Sequence, residues 1–141
     1  MKKTMKLTIL AILTCVLCCM SIVPAFADNK EITPRWTNTA NTAMTFVVDD
    51  GEAIFSVSYT AYASTFSQAQ LRVQIQKRVL GLFWRNVGDE WVGYSTALRG
   101  DFYDYIPVDG KGTYRANFTL TVYGTQGATD VIEDTIEVKY S

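Results

Sequence analysis

The chain has 141 residues, of which 13 are basic, 14 are acidic and none is histidine, and its net charge at pH 7 is −1. This length suits one domain, and the cysteines are confined to Cys15, Cys18 and Cys19. Because nucleic-acid binding needs a basic patch, and because catalysis by nucleophiles or by acids and bases most often uses cysteine or histidine, the composition argues against both functions.

The first 27 residues have the three parts of a secretory signal. A basic start, MKKTMK, is followed by an apolar run at residues 7–23, and Ala25 and Ala27 occupy the small-residue positions before a cleavage site. We predict cleavage after Ala27, so that the protein is exported by a Sec-type route and is secreted or extracellular. The apolar run approaches the roughly 20 residues that a spanning helix needs, and a retained anchor therefore stays open as the alternative.

Cleavage would leave residues 28–141, which contain no cysteine and therefore no disulfide. The three cysteines of the signal segment fit their apolar surroundings as small hydrophobic residues, and the residues before them fit a lipid-modified cysteine poorly. The signal segment holds three lysines and no carboxylate, so the mature part has ten basic and fourteen acidic groups and a net charge of −4. We expect an acidic domain stabilised by its core alone, since this length buries enough surface.

Strands are predicted along most of the mature chain. Residues 28–41 are polar and lack periodicity, and we interpret them as an N-terminal arm. From residue 42 onward, apolar and polar residues alternate between short turn signals, which is the pattern of half-buried strands. The predicted strands are residues 42–48, 52–63, 70–80, 90–97, 101–107, 113–123 and 130–140, with a further edge strand open at 82–87. This predicts an all-β, antiparallel immunoglobulin-like or fibronectin-like β-sandwich of about seven strands over residues 42–141.

One stretch carries a finer structural signal. A tight turn at residues 109–112 leads into the strand predicted at 113–123. Tyr114 stands two residues before Ala116, which is the spacing between the tyrosine corner of immunoglobulin domains and the cysteine that follows it. Alanine at that position fits a mature chain without thiols. We therefore predict a central core strand with Tyr114 and Ala116 facing inward.

The carboxylates lie mainly in predicted turns, Asp130 among them, and Asp101, Asp104 and Asp109 fall near one end of the predicted sheet. Oxygen ligands on loops bind calcium, but this spacing matches no calcium-binding loop, and a turn aspartate commonly hydrogen-bonds its own backbone. The RGD tripeptide at residues 99–101 is interpreted as a turn and not as an adhesion motif. We predict no metal site, no cofactor and no catalytic residue.

Aromatic residues are the remaining candidates for a site. Exposed tryptophan and tyrosine bind sugar rings or peptides by stacking and by polar edge contacts, but the same side chains fill small cores. Alternation predicts that one of Phe83 and Trp84 is buried, and likewise one of Phe102 and Tyr103. Both core packing and a binding surface stay open for the candidate set, which is Phe83, Trp84, Trp91, Tyr94, Tyr103 and Tyr105.

A series of five stretches runs through the mature chain: TPRWT (33–37), VQIQKR (73–78), FWRNVGDEW (83–91), GTYRANFTLTVY (112–123) and TIEVKYS (135–141). In this series the chain resembles uncharacterised small secreted β-sandwich proteins of Firmicutes, mostly from clostridia. The resemblance covers nearly the whole mature chain and implies export and a β-rich fold, but no particular activity. Residues 79–84, VLGLFW, depart from the group, which has a polar turn there, and they make this hairpin unusually apolar.

These observations favour a secreted, non-enzymatic β-sandwich that binds a cell-surface glycan or protein through an extracellular surface. We expect no nucleic-acid partner, and membrane contact only through the signal segment before cleavage. Two alternatives stay open. One is a carbohydrate-binding module with Trp84, Trp91 and Tyr94 as stacking platforms, and the other is an antimicrobial or membrane-active polypeptide acting through the apolar hairpin. Joint exposure of Phe83, Trp84 and Trp91 would distinguish an aromatic site from core packing.

Overall fold

The computed structural model describes residues 36–141, and the predicted signal segment with Ala25 and Ala27 lies outside them. The regular structure in these residues is β-strand throughout, and none of it is a helix able to cross a membrane. The strands are β1 (Thr39–Asp49), β2 (Glu52–Ala61), β3 (Phe66–Val79), β4 (Phe83–Asn86), β5 (Trp91–Ser95), β6 (Arg99–Pro107), β7 (Gly112–Gly124) and β8 (Thr129–Tyr140).

The strands form two antiparallel sheets that enclose one core. The first sheet has the order β1-β2-β6, and the second has the order β4-β3-β7-β8 with β5 also paired to β3. The predicted all-β antiparallel sandwich is confirmed. The eighth strand, β4, is the further edge strand left open at residues 82–87; β4 and β5 pair with β3 separately, on either side of an interruption at residues 87–90.

The core is built by the period-two alternation that the sequence shows. Alternate side chains of β2, β3 and β7 point between the sheets, and their partners point outward. The Phe55 and Phe118 rings meet edge to face across the core, with centroids 6.4 Å apart. The buried apolar residues of these three strands are Ala53, Phe55, Val57, Tyr59, Ala61, Phe66, Ala69, Leu71, Val73, Ile75, Tyr114, Ala116, Phe118, Leu120 and Val122.

A buried carboxylate on β8 holds the beginning of β1. Asp130 accepts hydrogen bonds from the backbone amides of Thr37 (2.9 Å), Asn38 (2.7 Å) and Thr39 (2.9 Å), and from the Thr39 hydroxyl (3.0 Å). We call this arrangement the Asp130 clamp. The clamp fixes the backbone of residues 37–39, so β1 begins at Thr39, within the segment predicted to be an arm. The interpretation of Asp130 as a solvated turn residue is wrong, because its side chain is buried.

The connection from β6 to β7 is fastened by Tyr114. Its side chain is fully buried, and its hydroxyl lies 2.8 Å from the carbonyl oxygen of Asp109 and 2.6 Å from that of Gly110. These are the contacts to the backbone a few residues upstream that a tyrosine corner makes. The expectation that Tyr114 and Ala116 face inward on a central core strand is confirmed, since both are buried on β7 between β3 and β8.

Candidate functional site

The six aromatic residues predicted as candidates do not form one site. Tyr103 and Tyr105 are exposed on the outer face of the three-stranded sheet, and Tyr94 is exposed on the outer face of the five-stranded sheet. Phe83 and Trp84 lie on the β3–β4 hairpin, whereas Trp91 packs against the core. Each of these surfaces therefore has to be judged separately.

Of the two interpretations open for Trp91, the structure favours core packing, since the side chain is partly buried against the core. Its ring meets Phe55 edge to face at 5.1 Å between centroids and Phe102 at 6.0 Å. Its indole nitrogen donates a hydrogen bond of 2.6 Å to the Asp104 carboxylate. The physical reason is alternation along β5, which directs Trp91 and Gly93 inward and Val92 and Tyr94 outward.

In the pairs Phe102–Tyr103 and Phe83–Trp84, one residue is exposed and its neighbour is more buried, as alternation requires. On β6, Phe102 is buried and Tyr103 is exposed. On β4, Trp84 is half-buried and Phe83 is exposed. The Trp84 ring lies under the guanidinium groups of Arg115, at 4.2 Å, and Arg78, at 5.3 Å. These cation–π contacts hold the indole against the outer face of the sheet.

The β3–β4 hairpin ends in three exposed apolar side chains. Leu80, Leu82 and Phe83 are 85%, 75% and 64% exposed, and we call them the apolar tip. Because the paired register of β3 and β7 ends at Lys77, the hairpin continues past the body of the five-stranded sheet. Within residues 36–141, no neighbouring strand lies beside the apolar tip for it to pack on.

The turn at the tip is strained. The amide of Leu82 donates a hydrogen bond of 3.1 Å to the carbonyl oxygen of Val79, and the two residues between them, Leu80 and Gly81, have φ angles of 53° and 70°. Positive φ at both central positions defines a type I′ turn, for which Asn-Gly is preferred. Leucine in the left-handed region costs about 1–2 kcal/mol.

Leu80→Asn is therefore expected to raise the free energy of unfolding by about 1 kcal/mol, because asparagine tolerates the left-handed region and suits the turn. Thermal unfolding followed by circular dichroism should show Tm higher by about 4–8 °C. Leu82→Asn is the matched control, since Leu82 has no positive φ and its replacement should leave Tm nearly unchanged. An equal shift in both variants would contradict strain at Leu80.

Basic side chains flank the apolar tip. Residues 77–85, KRVLGLFWR, contain Lys77, Arg78 and Arg85 and no carboxylate. Lys77 donates a hydrogen bond to the carbonyl oxygen of Asp109, and Arg78 lies 3.9 Å from the Glu137 carboxylate. Lys77 and Arg85 also line an open cleft of about 450 Å³ that lies between β4 and the β6–β7 connection. The hairpin thus combines an apolar end with a cationic base.

A second surface lies on the outer face of the five-stranded sheet. The amide nitrogen of Gln70 donates to the Tyr94 hydroxyl at 3.0 Å, and the Tyr123 hydroxyl donates to the amide oxygen of Gln70 at 3.0 Å. We call these three residues the amide–tyrosine cluster. Beside it, Arg72 forms an exposed ion pair of 2.6 Å with Glu90. The cluster presents exposed rings beside fixed polar atoms.

The aspartates considered for a metal do not converge. Strand alternation places Asp101 on the outer face of β6 and Asp104 on the inner face. The Asp104 carboxylate is already occupied by Trp91 and by the backbone amide of Tyr105, at 2.8 Å. In residues 36–141, no three acidic, cysteine or histidine side chains come together as a metal site would require.

Neither protein-family models nor curated proteins match this sequence. Among solved structures, the chain is similar to one assigned as the ApaA protein from Bordetella pertussis, with 13% identity and a TM-score of 0.45, over 71% of this chain and 90% of that one. It is also similar to a protein from Archaeoglobus fulgidus, with 8% identity and a TM-score of 0.32, over 73% of this chain and 98% of that one. At these values neither structure bears on the site.

Sequence reasoning chose Phe83 and Trp84 from the hairpin but left Leu80 and Leu82 out of the candidate residues. Only aromatic residues were considered as binding candidates, whereas in the structure the two leucines are more exposed than either aromatic residue of the hairpin. A signal for them was present, since VLGLFW puts leucines on both sides of the glycine of a two-residue turn, where polar residues are preferred.

Proposed function

We propose that the protein is an exported, non-enzymatic β-sandwich that binds a partner outside the cell through the apolar tip. The observation that carries this proposal is the joint exposure of Leu80, Leu82 and Phe83 on one hairpin. Contiguous apolar groups on the surface of a monomeric protein commonly mark interaction sites, whereas single exposed apolar residues need no explanation.

Strain at the turn supports the same surface. Leu80 sits in the left-handed region and is 85% exposed. A strained backbone position of this kind motivates a hypothesis of function. Contact with a partner outside the chain would account for a leucine at this point of the turn.

The wider class of the domain is also part of the proposal. The strand order β1-β2-β6 against β4-β3-β7-β8 and the corner made by Tyr114 support an immunoglobulin-like topology. The predicted signal segment supports export. Domains of this class carry loops and hairpins at the two ends of a rigid sandwich, and the apolar tip lies on such a hairpin.

Carbohydrate binding is a second candidate, favoured by the amide–tyrosine cluster. Tyr94 and Tyr123 are exposed, and Gln70 fixes both hydroxyl groups. Tyrosine faces stack on sugar rings, and an ordered amide supplies hydrogen bonds to hydroxyl groups. This candidate uses a different face of the molecule from the apolar tip, so the two can be tested side by side.

The test is binding to cell envelopes. The full chain is expressed in a bacterial host, and the protein is recovered from the medium, where its mass should be that of residues 28–141. Sedimentation with purified bacterial envelopes is then compared for the wild type, for a tip variant (Leu80→Asn, Leu82→Ser, Phe83→Ser) and for Tyr94→Ala. Val47→Ser and Leu98→Ser, exposed apolar residues away from both candidate surfaces, serve as controls.

We expect the wild type, Tyr94→Ala and the two controls to sediment with envelopes, and the tip variant to lose most of its binding. Loss in Tyr94→Ala with retention in the tip variant would overturn the role of the tip in favour of the carbohydrate surface. A recovered protein that still carries its first 27 residues, or absence of any envelope binding by the wild type, would overturn the proposal as a whole.

A further inference from the structure

We infer that the partner of the apolar tip is the interface of an anionic phospholipid membrane, into which Leu80, Leu82 and Phe83 insert. This inference rests on the proposed function and names the chemistry of its partner. The occupant is argued from the shape of the hairpin, from the order of its side chains and from the distribution of charge around it.

The shape of the hairpin is that of a wedge. The tip consists of three side chains at the end of a two-stranded projection beyond the last β3–β7 pair. A stable protein–protein interface buries about 1,200–2,000 Å² in total, which is far more than three side chains provide. Small-molecule sites are concave, whereas this feature projects. A fluid apolar phase accepts a narrow projection without a complementary pocket.

The side chains follow the order of a membrane interface. The two leucines and Phe83 stand outermost, and each of these residues is 64–85% exposed. Trp84 comes next, half-buried on the sheet beneath the arginines. Tryptophan is enriched at the boundary between acyl chains and headgroups because its ring is apolar and its nitrogen is polar. Insertion of the tip would place Trp84 at that boundary.

Basic side chains are concentrated where lipid headgroups would lie. Six of the eight lysines and arginines in residues 36–141 belong to the end of the sandwich that carries the tip, although the mature chain as a whole is acidic. Carboxylates at the same end include Asp49, Asp50 and Glu52 in the other sheet. They also include Asp89 and Asp109 beside the cleft, and Glu137 of β8, which lies 3.9 Å from Arg78. The cations are Lys77, Arg78, Arg85, Lys111, Arg115 and Lys139.

These cations are placed to meet phosphate while the tip is inserted. Arg78 and Arg85 stand on either arm of the hairpin, close behind the tip, and Lys77 and Arg85 line the cleft beside β4. Long basic side chains keep their charged ends at the interface while their stems lie along apolar surface. Each such residue near an anionic membrane surface strengthens binding, and salt screens the effect.

Vesicle binding tests the inference. Protein recovered from the medium is sedimented with vesicles of equal parts phosphatidylglycerol and phosphatidylcholine, and with vesicles of phosphatidylcholine alone. We expect binding to the anionic vesicles that weakens with added salt. The tip variant should bind at least about tenfold more weakly, and Arg85→Gln several-fold more weakly. Leu80→Asn relieves turn strain, so loss of folding does not account for loss of binding, and circular dichroism verifies this.

The outcomes are distinguishable from those of the envelope test. Envelope binding that depends on the tip, without binding to anionic vesicles, would overturn the membrane inference and leave a protein or glycan partner for the same surface. Equal binding to both vesicle types, or equal binding by the tip variant and the wild type, would also overturn it. Failure with both envelopes and vesicles would overturn the proposed function itself.

Discussion

Asp130→Ala is expected to lower the free energy of unfolding by about 3–5 kcal/mol, one of the two largest effects that the structure predicts. The substitution removes the acceptor of four hydrogen bonds and leaves the buried backbone amides of Asn38 and Thr39 and the part-buried amide of Thr37 without that partner. Urea denaturation followed by tryptophan fluorescence measures the change. Loss of the clamp should also release the beginning of β1, seen as faster amide exchange at these residues.

Asp134→Ala is the matched control for the Asp130 clamp. Asp134 lies on the same strand but is exposed, and its carboxylate bonds to the adjacent amide of Thr135. Its replacement should change stability by no more than about 0.5 kcal/mol. A similar loss in the two variants would show that the clamp contributes nothing beyond an ordinary carboxylate of β8.

The clamp also gives stability a defined dependence on pH. Burial acts to raise the pKa of Asp130, but hydrogen bonds from Thr37, Asn38 and Thr39 outweigh it, and the pKa lies below the ordinary 3.8. Because the folded-state pKa is below the unfolded one, the contribution is complete above about pH 4 and is lost as the pH falls through the folded-state pKa. Asp130→Asn should therefore show a shallower loss of stability than the wild type in that acidic range.

Gly93→Ala is the second large expected effect, with a loss of about 3 kcal/mol in the free energy of unfolding. A Cβ atom at this position would lie 2.3 Å from the Trp91 ring and 3.1 Å from Phe102. The ring cannot simply turn aside, since Phe55 and Phe102 pack against it and Asp104 accepts its N–H. Chemical denaturation measures the loss, and the near-ultraviolet circular dichroism of Trp91 should change with it.

Val92→Ala separates this steric effect from a general weakness of β5. Val92 is the next residue along the strand, and its side chain points outward and is 41% exposed. We expect a change of no more than about 0.5 kcal/mol for Val92→Ala. If Gly93→Ala lowered the free energy of unfolding as little as Val92→Ala, that result would contradict the packing of the Trp91 ring on Gly93.

The two large stability effects lie away from the surface proposed for binding. The Asp130 clamp is at the beginning of β1, and Trp91 is in the core, whereas the apolar tip contacts neither of them. Variants of the tip should therefore alter binding at unchanged or increased stability. Such a separation makes the binding experiments interpretable, because a lost interaction does not reflect unfolding.

Local pattern alone located the strands. Six of the seven predicted strands overlap the observed ones closely at their middles, because side-chain alternation is strict where one face is buried and the other is not. The seventh, predicted at residues 90–97, is the short strand β5. The boundaries differ most at β1 and β3, which begin three and four residues earlier than predicted. Long-range contacts, among them those of Asp130, decide these ends.

The candidate site was only partly accessible from sequence. The composition singled out an apolar, aromatic hairpin, and alternation required one residue of each neighbouring pair to be buried. Alternation within one strand does not show which strands share a sheet. Tyr94, Tyr103 and Tyr105 were therefore grouped, although they lie on the outer faces of two different sheets. Nor could alternation show that Trp91 finds Asp104, a partner 13 residues away on another sheet.

The sequence by itself determined the all-β class, the inward faces of the strands and the burial of Tyr114 and Ala116 on a core strand, since each follows from spacing or composition. The tertiary structure decided which polar groups are buried and which apolar groups are not. Asp130 is buried because three backbone amides at the start of β1 donate hydrogen bonds to it. Leu80 is exposed because the β3–β4 hairpin extends beyond the last residue pair of β3 and β7. Both depend on residues distant in the chain.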